Sequence, residues 1–240
     1  MEQVHTTLVI PMYNEEDILK KTLPAVCTYM KEAFPDGYEI LFVDDGSTDR
    51  SVEIVEQYGD RATRVLRSDR NYGKGHAVRE GILAARGQYI VFTDCDLAYG
   101  TAVIARMVSF LAAYPRFGAV VGSRAVHPHG YEGYSFLRRA ASCAYRLLLR
   151  MFFGLHLSDS QSGIKAFTAE AAKTIFSLCE IDRYAFDFEA IAIAERKGVR
   201  VAEMPVRVIE NRPGRIRLLR DSLRMLRDLR QIKRNLKKMK

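Results

Sequence analysis

The first half of the chain alternates between short apolar runs and longer segments in which apolar residues recur every three or four positions. The apolar runs lie in TTLVIPMYN, YEILFVDDGSTD, TRVLRS, YIVFTDCDLAYG and GAVVGSR, and each predicts a β-strand. We expect the first strand to stop at Pro11. The segments between the runs predict helices, of which the last covers residues 102–114. This alternation is typical of an α/β protein with a mostly parallel sheet and helices on both faces.

The second half follows a different pattern, because the alternation ends at about Arg124. The segment HPHGYEGYSFLRRAASCAYRLLLRMFFG predicts a loop and then a helix, and SDSQSGIKAF predicts a turn-rich loop. A helix is predicted for DRYAFDFEAIAIAERKG. The segment VRVAEMPVRVIE predicts a strand that carries Pro205.

Polar residues follow several of the predicted strands of the first half. They are Pro11–Glu15, Asp44 with Asp45, Asp94 with Asp96, and Ser123 with Arg124. Because ligands of parallel sheets bind beyond the carboxyl ends of the strands, we expect these clusters to meet at one edge.

The sequence Asp94-Cys95-Asp96 gives this edge a candidate metal site. Alternate side chains leave the same side of an extended chain, so both carboxylates can face one point, with Cys95 as an apolar spacer. Carboxylate oxygens are the ligands that Mg²⁺ and Mn²⁺ prefer, and these ions keep open positions for substrate phosphates. A role in a turn or a helix cap remains the alternative for both aspartates.

The C-terminal segment concentrates the positive charge of the chain. Residues 212–240 contain twelve Lys and Arg and two Asp and Glu, a net charge of +10, whereas the whole chain carries +8, so the preceding residues carry −2. A basic amphipathic helix suits peripheral attachment to an anionic membrane, and a solvated tail is the alternative. We expect the apolar stripe to lose its regularity beyond Leu229. Before that point, helical spacing relates Ile216, Leu219, Leu223 and Leu226.

The spacing of the cysteines and the hydropathy of the chain indicate the cellular compartment of the protein. The four cysteines form no C-x-x-C pair, which favours reduced thiols over a disulfide or zinc framework. The most apolar long segment, AASCAYRLLLRMFFGLHL, is interrupted by Arg146 and Arg150 and does not predict a spanning helix. The N-terminus leads directly into a strand pattern, without the features of a signal peptide. We therefore expect a cytoplasmic protein that associates peripherally with the membrane.

The motifs VIPMYNE, ILFVDDGSTD, RNYGKGHAVREGI, YIVFTDCDL, VVGSR, DSQSGIKAF and YAFDFEA, in this order, resemble those of glycosyltransferase family 2. Within the family they are most similar to the polyprenyl-phosphate sugar synthases of the dolichyl-phosphate type. The resemblance implies a GT-A (Rossmann-like) fold, a UDP- or GDP-sugar donor, a polyprenyl phosphate acceptor, and inversion at the anomeric carbon. Together with the end of the alternation near Arg124 and the charge distribution, it divides the chain into a GT-A domain at 1–211, with a donor half at 1–124 and an acceptor half at 125–211, and a basic arm at 212–240.

The resemblance also assigns residues to the donor. Asp94 would lie against the diphosphate and ribose, and Asp96 would be the main metal ligand. Some members carry a metal-binding Gln two residues after the second aspartate, where this chain has Ala98. The residues expected to bind the donor with its metal are Pro11, Tyr13, Glu15, Phe42, Asp44, Asp94, Cys95 and Asp96, and Lys74 could contact a phosphate.

On the acceptor side, the resemblance implies that cationic residues bind the lipid phosphate. Arginine suits this task because its guanidinium can bind phosphate through two hydrogen bonds. The expected residues are Arg124, Arg138 and Ser142, with Arg139 as a rival to Arg138. A second basic group would close over the donor diphosphate, and it comprises Arg212 and either Arg215 or Arg217.

The phosphate acceptor changes the need for a general base. The second pKa of a phosphate monoester is about 6, so the acceptor is largely dianionic at neutral pH and can attack without losing a proton. The resemblance points to Asp159 as the residue that orients or assists the acceptor. Asp187 and Glu189 are second choices, and Glu189 is equally suited to a structural role in its helix.

Two other functions fit parts of the sequence. A saccharide hydroxyl is an alternative acceptor, although the arginines of the acceptor half count against it. Nucleic-acid binding through the basic arm is not expected, because the body of the chain shows no basic face with interleaved aromatic residues. Among sugars, the motifs DSQSGIKAF and YAFDFEA favour glucose over mannose.

Overall fold

The computed structural model describes residues 4–132, 158–159, 161–209 and 218–239, with only the backbone described for 218–226. The described residues form a sheet of seven strands in the order β3-β2-β1-β4-β6-β5-β7. The strands are β1 (Thr6–Met12), β2 (Tyr38–Asp44), β3 (Thr63–Arg67), β4 (Tyr89–Thr93), β5 (Ala119–Ser123), β6 (Ile164–Thr168) and β7 (Val201–Pro205). The helices within the described part are α1 (Glu16–Ala33), α2 (Ser51–Tyr58), α3 (Lys74–Ala84), α4 (Ala102–Ala113), α5 (Ala169–Phe176), α6 (Phe186–Arg196) and α7 (Leu218–Lys238).

Helices cover both faces of the sheet, as the alternating pattern predicts. Leu8 and Ile10 of β1 pack in a cluster with apolar residues of α1, α2 and α4. Val9 points to the other face, where it joins residues of α3, α5 and α6. The central strands are therefore apolar on both sides, which explains why their sequences are continuous apolar runs.

The strand register brings the predicted polar clusters to one edge. Met12 at the end of β1 pairs with Asp44 at the end of β2. The parallel neighbour β4 ends at Thr93, directly before Asp94. Strand β5 also points in this direction, because it and β4 both pair antiparallel with β6. The carboxyl ends of β1, β2, β4 and β5 thus share the edge that carries the candidate site.

Two predictions for the strands are wrong. Pro11 does not end β1, which continues to Met12. The pairing of β1 with β4 ends at Val9. Pro11 therefore lies beyond this ladder, where the N–H that proline lacks is not needed for a hydrogen bond to β4. Residues 164–167, predicted as part of a turn-rich loop, belong to β6 in the middle of the sheet. This strand is short, and its partners β4 and β5 are distant in sequence, so no local pattern marks it.

The C-terminal helix is present, but its second half packs on the body of the protein. Leu229 and Ile232 are 5% and 0% exposed and join the cluster formed by α3, α5 and α6. The prediction that the apolar stripe loses its regularity beyond Leu229 is therefore wrong, because Leu229, Ile232 and Leu236 follow helical spacing. The stripe predicted before Leu229 lies outside the described side chains. No helix in the described part of the chain is long and apolar enough to cross a membrane.

Candidate active site

The loop after β1 is tied to the turn after β2. Asn14, which has a positive φ of 52°, donates its backbone N–H to Ser47 Oγ at 2.9 Å, and its Oδ1 accepts the N–H of Thr48 at 2.8 Å. The N–H of Glu15 donates to Ser51 Oγ at 2.8 Å. These bonds hold the expected nucleoside-binding residues of both strands next to each other. Tyr13 is 38% exposed beside them.

Pro11 and Phe42 are buried within the strands. Phe42 is 1% exposed and packs in the core against the α1 side of the sheet. Its side chain therefore has no path to a ligand at the edge, and a contact with the donor would have to come from its backbone. Cys95 is buried in the same cluster, as expected for an apolar spacer.

Two aspartates at the end of β2 shape the turns around the site. Asp44 accepts the backbone N–H of Ser47 at 3.1 Å and closes the turn after β2. Asp45 accepts the N–H groups of Tyr72 and Gly73 at 2.9 and 2.8 Å. Burial raises the pKa of Asp45, and these two hydrogen bonds act in the opposite direction. Asp45 thus fixes the backbone directly before α3, a role that its sequence position alone did not reveal.

The backbone around Asp94 and Asp96 is held by β6 and by a tight turn. The N–H of Asp94 donates to Gly163 O at 3.3 Å. A side chain at position 163 would overlap the Asp94 carboxylate in its present position and would have to displace it. Asp96 Oδ1 accepts the N–H of Ala98 at 3.1 Å, and Leu97 between them adopts a positive φ of 50°. The turn role and the metal role of Asp96 are therefore compatible.

Lys74, the first residue of α3, forms an ion pair with Asp94 at an Nζ–Oδ1 distance of 2.5 Å. Burial of the ammonium group opposes its charge, but the attraction of nearby carboxylates outweighs this effect and raises the pKa of Lys74. Those carboxylates belong to Asp94, Asp187 and Asp96. Three carboxylates thus surround Lys74, and this cationic side chain already occupies part of the site.

A buried ion pair lies next to Lys74. Lys165 Nζ in β6 contacts Asp187 Oδ1 at the start of α6 at 2.5 Å and donates to Ser162 O at 2.7 Å. Their side chains are 1% and 9% exposed. Burial raises the pKa of Asp187, while the charges of Lys165 and Lys74 lower it. The signal in the sequence was the lysine within the apolar segment IKAF, since a buried charge requires a partner.

The expected acceptor residues Arg124 and Asp159 contact each other. Arg124 Nε and Nη2 donate to Asp159 Oδ2 and Oδ1 at 2.6 and 2.8 Å, a bidentate pair. The N–H of Asp159 donates to Glu203 of β7 at 3.2 Å, so β5 and β7 both anchor the pair. Burial alone would raise the pKa of Asp159, but the hydrogen bonds and charge of Arg124 outweigh it and lower that pKa.

Glu189 has a structural environment within α6. Its Oε2 accepts the backbone N–H groups of Glu180 and Ile181 at 3.0 and 2.8 Å. Burial raises the pKa of Glu189 to about 7. Of the two roles considered for this residue, the contacts favour the structural one. Arg138, Arg139, Ser142, Arg212, Arg215 and Arg217 lie outside the described residues.

The residues at Asp94 and Asp96 fit a divalent cation that is held jointly by protein and substrate. In the described ranges, no group of three or more His, Cys, Asp or Glu side chains could hold a metal ion by itself. Two carboxylates form the kind of incomplete oxygen site that Mg²⁺ or Mn²⁺ completes with substrate phosphates. Because Gly163 has no side chain, there is room for the Asp94 carboxylate beside it.

Comparisons with known proteins agree with this architecture. The model of glycosyl transferase family 2 matches residues 7–176. A dolichyl-phosphate beta-glucosyltransferase of Trichomonas vaginalis is 34% identical over 218 residues, covering 85% of this chain and 64% of the relative. A dolichyl-phosphate beta-glucosyltransferase of Dictyostelium discoideum is 30% identical, covering 86% and 67%. The chain thus spans about two thirds of the length of these relatives.

The fold has solved counterparts. The structure of glucosyl-3-phosphoglycerate synthase from Mycobacterium tuberculosis with Mn²⁺, UDP and phosphoglyceric acid superimposes with a TM-score of 0.67 at 20% sequence identity. The match covers 98% of this chain and 78% of that structure. This likeness confirms the predicted GT-A fold.

Proposed function

This chain belongs to glycosyl transferase family 2, and we propose that it transfers glucose from UDP-glucose to a dolichyl-type polyprenyl monophosphate with inversion at the anomeric carbon. The observation that carries this proposal is the similarity, over more than four fifths of the chain, to relatives named dolichyl-phosphate beta-glucosyltransferases. The motifs DSQSGIKAF and YAFDFEA, which favour the glucosyl branch, support the same sugar.

On the donor side, the loops after β1 and β2 bind the nucleoside and Asp94 and Asp96 hold the divalent ion. The ion, when bound, supplies positive charge that stabilises the departing nucleoside diphosphate. The protein contributes the position of the backbone that carries both carboxylates, which the hydrogen bond from Asp94 to Gly163 and the turn at Ala98 hold in place. Because this backbone is already in place, only side chains need to move when the donor arrives.

On the acceptor side, Asp159 acts by orienting Arg124 and not as a base. Its carboxylate is held ionised by the guanidinium, and a carboxylate with a lowered pKa is a weak base. A dianionic phosphate needs no deprotonation, so the reaction does not require a strong base. Arg124 then offers its positive charge to the lipid phosphate from a side chain that two hydrogen bonds keep in place.

The test is transfer of radiolabelled sugar to a short polyprenyl phosphate in detergent, with UDP-glucose and GDP-mannose compared. Each donor is assayed with Mg²⁺, with Mn²⁺ and with EDTA. Asp96→Asn should abolish metal-dependent transfer, whereas Asp36→Asn, an exposed aspartate remote from the site, should retain it. Transfer from GDP-mannose alone would refute the choice of sugar. Transfer only to a saccharide hydroxyl would refute the choice of acceptor.

We further propose that the exposed face of α7 binds anionic membranes by charge. Because Leu229 and Ile232 pack on the body, this half of the helix cannot insert its apolar side into lipid. The side chains of Arg230, Lys233 and Lys237 are exposed beside this packed stripe. Juxtamembrane cations contribute about 1 kcal/mol each near an anionic surface.

Sedimentation with phosphatidylserine vesicles tests this attachment. Binding should fall steeply with salt, and a variant in which Arg230, Lys233 and Lys237 are replaced by Gln should bind less. Vesicles of phosphatidylcholine alone are the control for charge. Binding that is unaffected by both salt and the triple substitution would refute the electrostatic attachment.

A further inference from the structure

The ion pair between Lys74 and Asp94 places a permanent cation on a carboxylate that the proposed reaction assigns to the metal. The Nζ–Oδ1 distance of 2.5 Å is that of a direct charge-assisted hydrogen bond. Both side chains are partly exposed, so the pair lies at the surface of the site, where a ligand can reach it. With Lys74 on Oδ1, a divalent ion at the same carboxylate is limited to the other oxygen and lies close to a positive charge that repels it.

We propose that Lys74 is the resident counter-ion of Asp94 and couples metal binding to donor binding, so that the divalent ion binds tightly only together with a nucleoside diphosphate. This inference rests on the proposed function. In the absence of donor, Lys74 repels the divalent ion and covers one of its ligands. The anionic diphosphate attracts Lys74 away from Asp94, and the carboxylate becomes available to the metal.

The backbone explains why this exchange involves only the side chain of Lys74. Tyr72 and Gly73 are fixed by Asp45, and Gly73 has a positive φ of 126° and no room for a side chain beside Asp182 O. The start of α3 therefore stays in place. The flexible four-carbon stem of a lysine can still move its charge by several ångströms about this fixed point.

Asp187 helps to keep the Lys74 side chain within the site. Its carboxylate attracts Lys74, yet its main partner is Lys165, in an ion pair buried under the site. A Lys74 side chain that leaves Asp94 thus remains near a negative group. Asp187, which the sequence suggested as a second choice for a base, is by this geometry a positioning residue.

Electron paramagnetic resonance of Mn²⁺ measures this coupling without any transfer reaction. Mn²⁺ is titrated into wild type, Lys74→Met, Lys74→Arg and Lys20→Met, each without nucleotide, with UDP and with GDP. Lys20→Met is the matched control, because it removes the same charge from an exposed position on α1. An Asp96→Asn sample assigns the measured Mn²⁺ to the site, and thermal unfolding checks that each variant is folded.

We expect Lys74→Met to bind Mn²⁺ alone about tenfold more tightly than wild type, since it removes a positive charge close to the ion. Nucleotide should then improve Mn²⁺ binding much less than it does in wild type. Lys74→Arg, which keeps the charge, and Lys20→Met should both resemble wild type.

Two results would overturn the inference. One is equal or weaker binding of Mn²⁺ alone by Lys74→Met, and the other is an unchanged effect of nucleotide in that variant. A failure of the proposed function gives a different result. Either Asp96→Asn would bind Mn²⁺ as wild type does, or sugar transfer to polyprenyl phosphate would be absent while Lys74→Met still changes Mn²⁺ binding.

Discussion

The ion pair of Lys165 and Asp187 offers a direct test of how the centre of the molecule is held together. Lys165→Met keeps the length and apolar stem of the side chain and removes only its charge. Asp187 then remains buried without its main partner, and Ser162 O loses a hydrogen bond. Removing one partner of a buried pair costs about 3–5 kcal/mol of unfolding free energy. Because Lys74 still attracts Asp187, we expect a loss near the lower limit, about 3 kcal/mol.

The loss should appear in thermal and denaturant unfolding. For a domain of this size, about 3 kcal/mol corresponds to a decrease in Tm of about 6–12 °C. The double variant Lys165→Met/Asp187→Asn should recover a large part of the loss, because no uncompensated charge remains. Arg50→Met removes the arginine of an exposed pair with Glu53 and should leave the Tm almost unchanged.

A decrease in Tm no larger than that of Arg50→Met would refute the reasoning. So would a double variant that loses as much stability as the sum of the two single variants, because the charges would then act independently. Either result would mean that Asp187 is neutral or hydrated in the folded protein.

Three other substitutions test separate features. Ile232→Ala should lower the unfolding free energy by about 2–5 kcal/mol if α7 packs on the body, whereas Arg230→Ala should not; equal effects in denaturant unfolding would contradict the docking. Burial raises the pKa of Glu189 from its ordinary value of 4.5 to about 7 in the folded protein, so the folded state gains stability at acidic pH that is lost as pH rises to about 7. Glu189→Gln should remove up to about 3 kcal/mol of this pH dependence. A variant whose Tm changes with pH between 5 and 8 as that of wild type does would contradict this. Gly163→Ala should displace the Asp94 carboxylate and weaken Mn²⁺ binding measured by paramagnetic resonance, and wild-type affinity would contradict the close contact.

The sequence by itself determined the α/β class, most strands and helices of the first half, and the edge at which the polar clusters meet. These features depend on local patterns, because apolar runs and helical spacing indicate which side chains of a segment are buried. The two aspartates around Cys95 could be recognised because they follow directly on a buried strand. Parallel strands then bring their carboxyl ends together regardless of the details of packing.

Only the tertiary structure decided which charges meet. Strand β6 forms because β4 and β5 provide partners on both sides, and its sequence carries no local sign of this. Ion pairs join residues that are twenty or more positions apart in the sequence: Lys165 with Asp187, Arg124 with Asp159, and Lys74 with Asp94. The second half of α7 likewise looked like part of a free basic arm until its partner surface on the body was known. The sequence shows that a charged residue in an apolar segment needs a partner of opposite charge. It does not show which residue that partner is, because this depends on how distant segments pack in three dimensions.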